Sequence, residues 1–181
     1  MMDSSLELHD QLYAWLKGCQ RLVVIGIGNP LRGDDAIGLK VIQKLSRKIP
    51  ENVRLLECGV IPENYFSKIE EFKPTHVLMI DAAHLNGEAG ASRLISIEEI
   101  AGTALSTHTL PLSFLAEIIK QNIGADVKLL GIQPESVEFK EGLSPKLQEA
   151  SRKIADLVMK VIKESFQDTA SNEIRAKRFS C

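Results

Sequence analysis

Cysteine is scarce in this chain, and what there is forms no framework. Cys19, Cys58 and Cys181 are far apart and odd in number. They fit neither a set of disulfides nor a paired CxxC zinc or redox site, and they point to a reducing, cytoplasmic setting. Charge of one sign is lacking too. The 22 Lys and Arg nearly balance the 24 Asp and Glu, leaving a net charge of -2, so no general nucleic-acid surface is expected. No apolar run approaches the ~20 residues that a membrane span needs. The opening "MMDSSLELHD" carries an early acid and no apolar segment, so no signal peptide is expected. The HExxH helix of common zinc peptidases is missing, as is the GxSxG elbow of serine hydrolases. Cys58 has no evident histidine partner, so it reads as a packed thiol at a strand end. There are no internal repeats.

What remains is ordinary in bulk and informative in order. At 181 residues, 44% hydrophobic and 25% charged, the composition suits one globular domain over residues 1–181. Residues 6–17 place Leu8, Leu12, Trp15 and Leu16 at helical spacing after a Ser4/Ser5 cap. Residues 21–27 form a continuous apolar run, the mark of a strand covered on both faces. A helix is expected at 35–46, a strand at 52–57, a short helix at 63–71 and a strand in "THVLMID". A shorter strand, placed at an edge, follows in "ASRLISI". Then come a helix at 110–120, a strand in "DVKLLGI" and a long helix at 144–163, opened by Ser144 as cap and Pro145 in the first turn. After about residue 164 the text is polar and reads as a frayed or helical tail. Strands alternating with helices predict an α/β fold with a mostly parallel five-stranded sheet covered on both faces.

In such sheets ligands collect beyond the carboxyl ends of the strands. Those ends are the loop after residue 27, Glu57-Cys58-Gly59, Asp81, and residues 131–136. The first begins "VVIGIGNPLRGDDAIG". Gly26 and Gly28 open a dinucleotide fingerprint, but Leu31 stands where its third glycine belongs. Gly28 and Gly33 have the GxxxxG spacing of a P-loop, but Asp34 and Asp35 follow where Lys and Ser or Thr are needed. Carboxylates there repel phosphate, and a helix N-terminus does not easily compensate. A nucleotide-binding module is therefore disfavoured.

Asp34 taken alone reads as a helix N-cap, worth about 0.5–2 kcal/mol. Asp35 lies one position on and can point back over the strand ends. Asp81 follows four apolar residues in a place where a carboxylate is costly unless hydrogen-bonded, paired or metal-bound. His108, in "LSTHTLPL", leads into a helix, and His84 is its rival near Asp81. His9 and His76 fall outside the candidate rim. Together Asp35, Asp81 and His108 would present two carboxylates and an imidazole at one end of the sheet. Such donors suit nickel, zinc, iron or manganese and leave coordination positions open.

The stretches "GIGNPLRGDDAIG", "IPENY", "MIDAAHL", "STHTLPLSFLAEII" and "LLGIQPESVEF" occur in an order and spacing that resemble the NiFe-hydrogenase maturation proteases. The likeness is greatest to the branch that processes the large subunit of hydrogenase 3 (the HycI type), and it covers residues 21–163. Residues 1–20 form an extension ahead of it and 164–181 a polar, basic tail. The resemblance implies a three-layer α/β/α sandwich around a twisted, largely parallel sheet. It implies an endopeptidase that removes a short C-terminal peptide from the nickel-loaded precursor of a hydrogenase large subunit. Carried over by position, the family's metal-binding and catalytic trio is Asp35, Asp81 and His108. The first member is Glu in some relatives and the shorter Asp here. The nickel is expected to arrive with the substrate, leaving the free enzyme metal-free. Two routes stay open, with the metal polarising carbonyl or water, or with Asp35 or Asp81 as general base. Asn29, Gly59, Gln133 and Glu135, with Ser136, are assigned to the groove for the substrate tail. Turn chemistry around Pro62 and Pro134 is the alternative for the later four. From a different class, a nickel-binding chaperone or checkpoint that grips the precursor without hydrolysis would carry the same trio.

Overall fold

The computed structural model describes residues 4–45, 49–101 and 112–178. Five strands, β1 (Leu22–Ile27), β2 (Val53–Gly59), β3 (His76–Ala82), β4 (Ser92–Ser96) and β5 (Asp126–Ile132), form one sheet in the order β2-β1-β3-β5-β4. The first four in that order run parallel, and β4 closes one edge antiparallel to β5. The helices are α1 (Ser4–Trp15), α2 (Ile37–Leu45), α3 (Phe66–Phe72), α4 (Ile97–Ala101), α5 (Leu112–Ile123) and α6 (Pro145–Arg178).

The two layers follow from side-chain alternation in the central strands. Leu22 and Val24 of β1, Leu78 and Ile80 of β3, and Leu130 and Ile132 of β5 pack with α1, α2 and α6. Val23, Ile25, Val77, Met79, Val127 and Leu129 face the other way, with Ile69 of α3, Ile97 and Ile100 of α4, and Leu115 and Ile119 of α5. Every residue of β1 is buried, which is why its text is apolar without a break. The architecture is the expected α/β/α sandwich.

Two glycines let α2 settle on the strand ends. A Cβ on Gly38 would fall on the carbonyl oxygens of Ile80 and Ile27, and one on Gly26 would lie 2.6 Å from the Gly38 carbonyl. The first turn of α2 therefore packs directly over the carboxyl ends of β1 and β3.

The opposite edge of the sheet anchors α1. The Trp15 indole N–H donates to Asp126 Oδ2 at 2.9 Å, and its ring meets His76 edge-on at 5.2 Å between centroids. Thr75 Oγ1 accepts the backbone N–H groups of Gln20 and Arg21. At the other end of the chain α6 runs on to Arg178, through the tail expected to be frayed or helical. Pro145 stands in its first turn, and Ser144 Oγ accepts the Leu147 N–H at 3.4 Å, as expected of a cap. Among the described residues no helix is long and apolar enough to cross a membrane.

Candidate active site at the carboxyl edge

The glycine loop is shaped by what surrounds it. Gly28 has φ +146°, and a Cβ there would strike the Asp35 carbonyl, so only glycine serves. Its N–H donates to Gly59 O at 3.0 Å, which ties the loops after β1 and β2 together. Asn29 makes two local contacts. Its side-chain oxygen accepts the Leu31 N–H at 3.0 Å, and its own N–H donates to Asp35 Oδ2 at 3.0 Å. Residues Gly33–Ala36 then form a single 3-10 turn that leads into α2, and Arg32 precedes the turn without a side-chain capping bond.

Asp34 is not the helix cap that the local pattern predicts. Its Oδ2 accepts the N–H groups of Glu135 and Ser136 at 3.0 and 3.2 Å, and its Oδ1 accepts that of Ser144 at 2.6 Å. The residue is 1% exposed. Three main-chain donors from the β5–α6 loop take the place of the first turn of its own helix. The clasp is closed further by Gly33 N–H to Lys140 O at 2.6 Å, Asp34 N–H to Ser136 O at 3.1 Å and Lys140 N–H to Leu31 O at 3.0 Å. No nearby sequence signal betrays this, since the partners stand about a hundred residues away.

Asp35 and Asp81 occupy the same edge of the sheet. Asp35 is 1% exposed and Asp81 is fully buried. Asp81 is the penultimate residue of β3 and pairs in register with Gly131. By alternation it lies on the face of Val77 and Met79, the side covered by α3, α4 and α5. The 3-10 turn that carries Asp35 packs against β3, next to β1. The structure thus brings the two predicted acids to neighbouring strand ends. His108 lies outside the described residues. His84 is exposed three residues beyond Asp81. His9 is on α1 and His76 opens β3 at the far edge, away from the acids as expected.

The groove residues divide by what their side chains already hold. Gly59 takes φ +63°, and space is open where a Cβ would stand. Gln133 is turned inward. Its Oε1 accepts the Leu85 N–H at 2.7 Å and its Nε2 donates to Pro134 O at 3.1 Å, so it fastens the loop after β3 to the end of β5. Glu135 faces outward to Lys146 Nζ at 3.1 Å, and Ser136 Oγ accepts the Glu138 N–H. Cys58 is 5% exposed. Burial pushes its thiol up to about 12 against a weaker opposing pull from Lys68, and a thiol so protonated is a packed group rather than a nucleophile.

Among the described residues no three His, Cys, Asp or Glu side chains gather as a metal cluster. Asp35 and Asp81 are oxygen donors of the kind that transition-metal ions accept. What the fold and this edge define is an α/β protein with an acidic site at its strand ends, built on glycine-dependent loops.

Comparison with known proteins narrows that class. The family model described as HycI, hydrogenase maturation protease, matches residues 39–161. A putative hydrogenase maturation protease of Methanocaldococcus jannaschii is 36% identical over 165 residues, covering 87% of this chain and 97% of the relative. The hydrogenase 3 maturation protease of Escherichia coli K12 is 33% identical over 129 residues, covering 71% and 82%. Among solved structures, the NiFe hydrogenase maturation protease HycI of Thermococcus kodakarensis superposes with a TM-score of 0.79 at 38% identity, covering 84% of this chain and 99% of that one. The chain belongs to the hydrogenase maturation protease family and is a hydrolase.

Proposed function

We propose that this protein removes a short C-terminal peptide from the precursor of a NiFe-hydrogenase large subunit once nickel has been inserted, and that it works in the cytoplasm. The burial of Asp35 and Asp81 at neighbouring strand ends is the observation that carries the proposal. Their carboxylates, with the His108 imidazole, would grip the nickel already held by the substrate. His108 stands four residues before Leu112 in the sequence, and four residues span at most about 14 Å. Leu112 opens α5, which packs on β5 on the Asp81 side of the sheet. The twelve residues of α5 return the chain to the start of β5, so the helix begins toward the carboxyl edge.

The chemistry asked of these residues is modest. The Asn29 N–H holds one oxygen of Asp35 in place. A carboxylate of the pair takes a proton from the attacking water as general base, a role worth about 10²–10⁴ in rate. The substrate's nickel supplies Lewis acidity close to the scissile carbonyl. A site completed only by a loaded precursor makes cutting conditional on loading. The free Cys19 and Cys58 agree with a reducing compartment.

The test is to mix the protein with nickel-loaded and nickel-free precursor and weigh the products. The loaded form should lose a C-terminal peptide and the empty form should stay whole. Equal cutting of both would remove the metal gate. Tight binding of the loaded form with no change in mass would make the protein a checkpoint instead.

A further inference from the structure

Among the described residues, Leu31, Val60, Ile61 and Phe139 are large apolar side chains exposed on loops at the carboxyl edge, at 46%, 45%, 45% and 83%. Leu31 and Phe139 belong together. Arg32 and Lys140 form a parallel β-bridge, so Leu31 and Phe139, one step earlier on each chain, are opposite neighbours on a common face. The bridge is fastened by the Lys140 N–H to Leu31 O and the Gly33 N–H to Lys140 O, and Arg32 Nε donates to Val137 O at 3.2 Å. The buried Asp34 carboxylate fixes the same loop with three more bonds. Val60 and Ile61 follow Gly59, whose carbonyl accepts the Gly28 N–H, on the other flank of the glycine loop.

Phe139, so largely exposed, adds little to the folded core, yet the loop that presents it is held by three bonds to the buried Asp34 side chain and by a β-bridge. Surfaces that are fixed before binding lose less entropy when a partner arrives, and exposed apolar groups clustered at one place mark contact sites. The pair is also close to the acids. Leu31 and Asp35 are four residues apart in one loop, so they are separated by at most about 14 Å.

We propose that Leu31 and Phe139 form a fixed apolar platform for the precursor chain beside the bond that is cut, with Val60 and Ile61 on the opposite bank. The occupant is an extended stretch of the precursor with an apolar side chain within about four residues of the scissile bond, the length of extended chain that fits between the platform and Asp35. This rests on the proposed function, since the substrate must cross Asp35.

The probe is the nickel-loaded precursor that the wild-type protein shortens. Leu31→Ser with Phe139→Ser should raise KM about tenfold or more, leave kcat within about twofold and leave the melting temperature unchanged. Phe139→Leu should restore most of the affinity. Leu6→Ser, at an exposed leucine on α1, should change neither constant. Replacing the apolar residues near the cut in the precursor by Ser should raise KM for the wild type and add little to the double variant. An unchanged KM in the double variant, with Asp35→Asn still inactive, would overturn the platform and leave the functional reading standing. A wild-type dimer that becomes monomeric in Phe139→Ser would assign the surface to a second copy and overturn it as well. A wild type that shortens no loaded precursor would sink both.

Discussion

At the amino edge of the sheet several polar side chains are matched to one another. Trp15 donates to Asp126, His76 Nδ1 meets Thr75 Oγ1 at 3.1 Å and the Cys19 thiol lies 3.6 Å from the same hydroxyl. Burial pushes the His76 imidazole below its ordinary value, against the opposing pull of Asp126. At the carboxyl edge the arrangement is reversed. Asp34 and Asp35 draw main-chain N–H groups from loops, and they and Asp81 are at most 1% exposed. A self-matched cluster closes on itself and serves to dock α1. The carboxyl edge instead gathers three buried carboxyl side chains at the ends of β1 and β3.

The first way to break this comparison is to neutralise the acids. Asp35→Asn and Asp81→Asn should each lower the rate of precursor shortening by at least about a hundredfold, with circular dichroism and melting temperature close to wild type. A fold lost together with the activity would return both acids to a structural role. Next comes Asp34→Asn, in which an amide NH2 faces N–H groups that need an acceptor. It should cost about 1–3 kcal/mol of stability, read by urea denaturation, while the folded fraction keeps most of its activity. If Asp34→Asn were inactive and Asp35→Asn normal, the roles of the two neighbours would be exchanged.

At the amino edge, Trp15→Phe removes one donor from Asp126, which is itself exposed. A stability loss of about 0.5–1.5 kcal/mol with unchanged kcat is expected. A fall in kcat would mean that the edges are coupled. The smallest effect concerns His9, which meets its α1 neighbour Asp10 Oδ1 at 3.0 Å and links α1 to α6 through Glu164 Oε2 at 2.8 Å. The Asp10 contact, then the Glu164 contact, raise the imidazole above its ordinary 6.5, with burial opposing. A raised folded-state value favours the protonated fold. Its contribution is complete below pH 6.5 and is lost as pH rises through the raised value. The melting temperature should therefore decline slightly over that interval, and His9→Gln should flatten the decline. Because these groups are partly exposed, salt should weaken the effect.

Much of this organisation was legible in the sequence. β1 and β3 stood out because strands covered on both faces carry unbroken apolar text, and β5 matched its expected bounds of 126–132. The five-residue α4 was missed, since one turn of helix has too few positions to display a period. The tail after about residue 164 reads as frayed or helical because the apolar stripe fades there, and it proves helical to Arg178. Residues 164–178 contain neither Gly nor Pro, so nothing local stops it. Asp34 was misread for a related reason. An acid beside a helix start looks alike whether its donors are in its own first turn or across the molecule, as Glu135, Ser136 and Ser144 are. Asp35 and Asp81 were placed on the right edge because strand direction alone decides which ends of a parallel sheet come together.

The most direct test of the central claim is a crystal structure of the protein soaked in nickel, with the ion located by its anomalous signal. The account predicts one ion bound by Asp35, Asp81 and His108 together, absent from the Asp81→Asn variant. An ion bound elsewhere, or an imidazole of His108 out of reach of the two carboxylates, would contradict it.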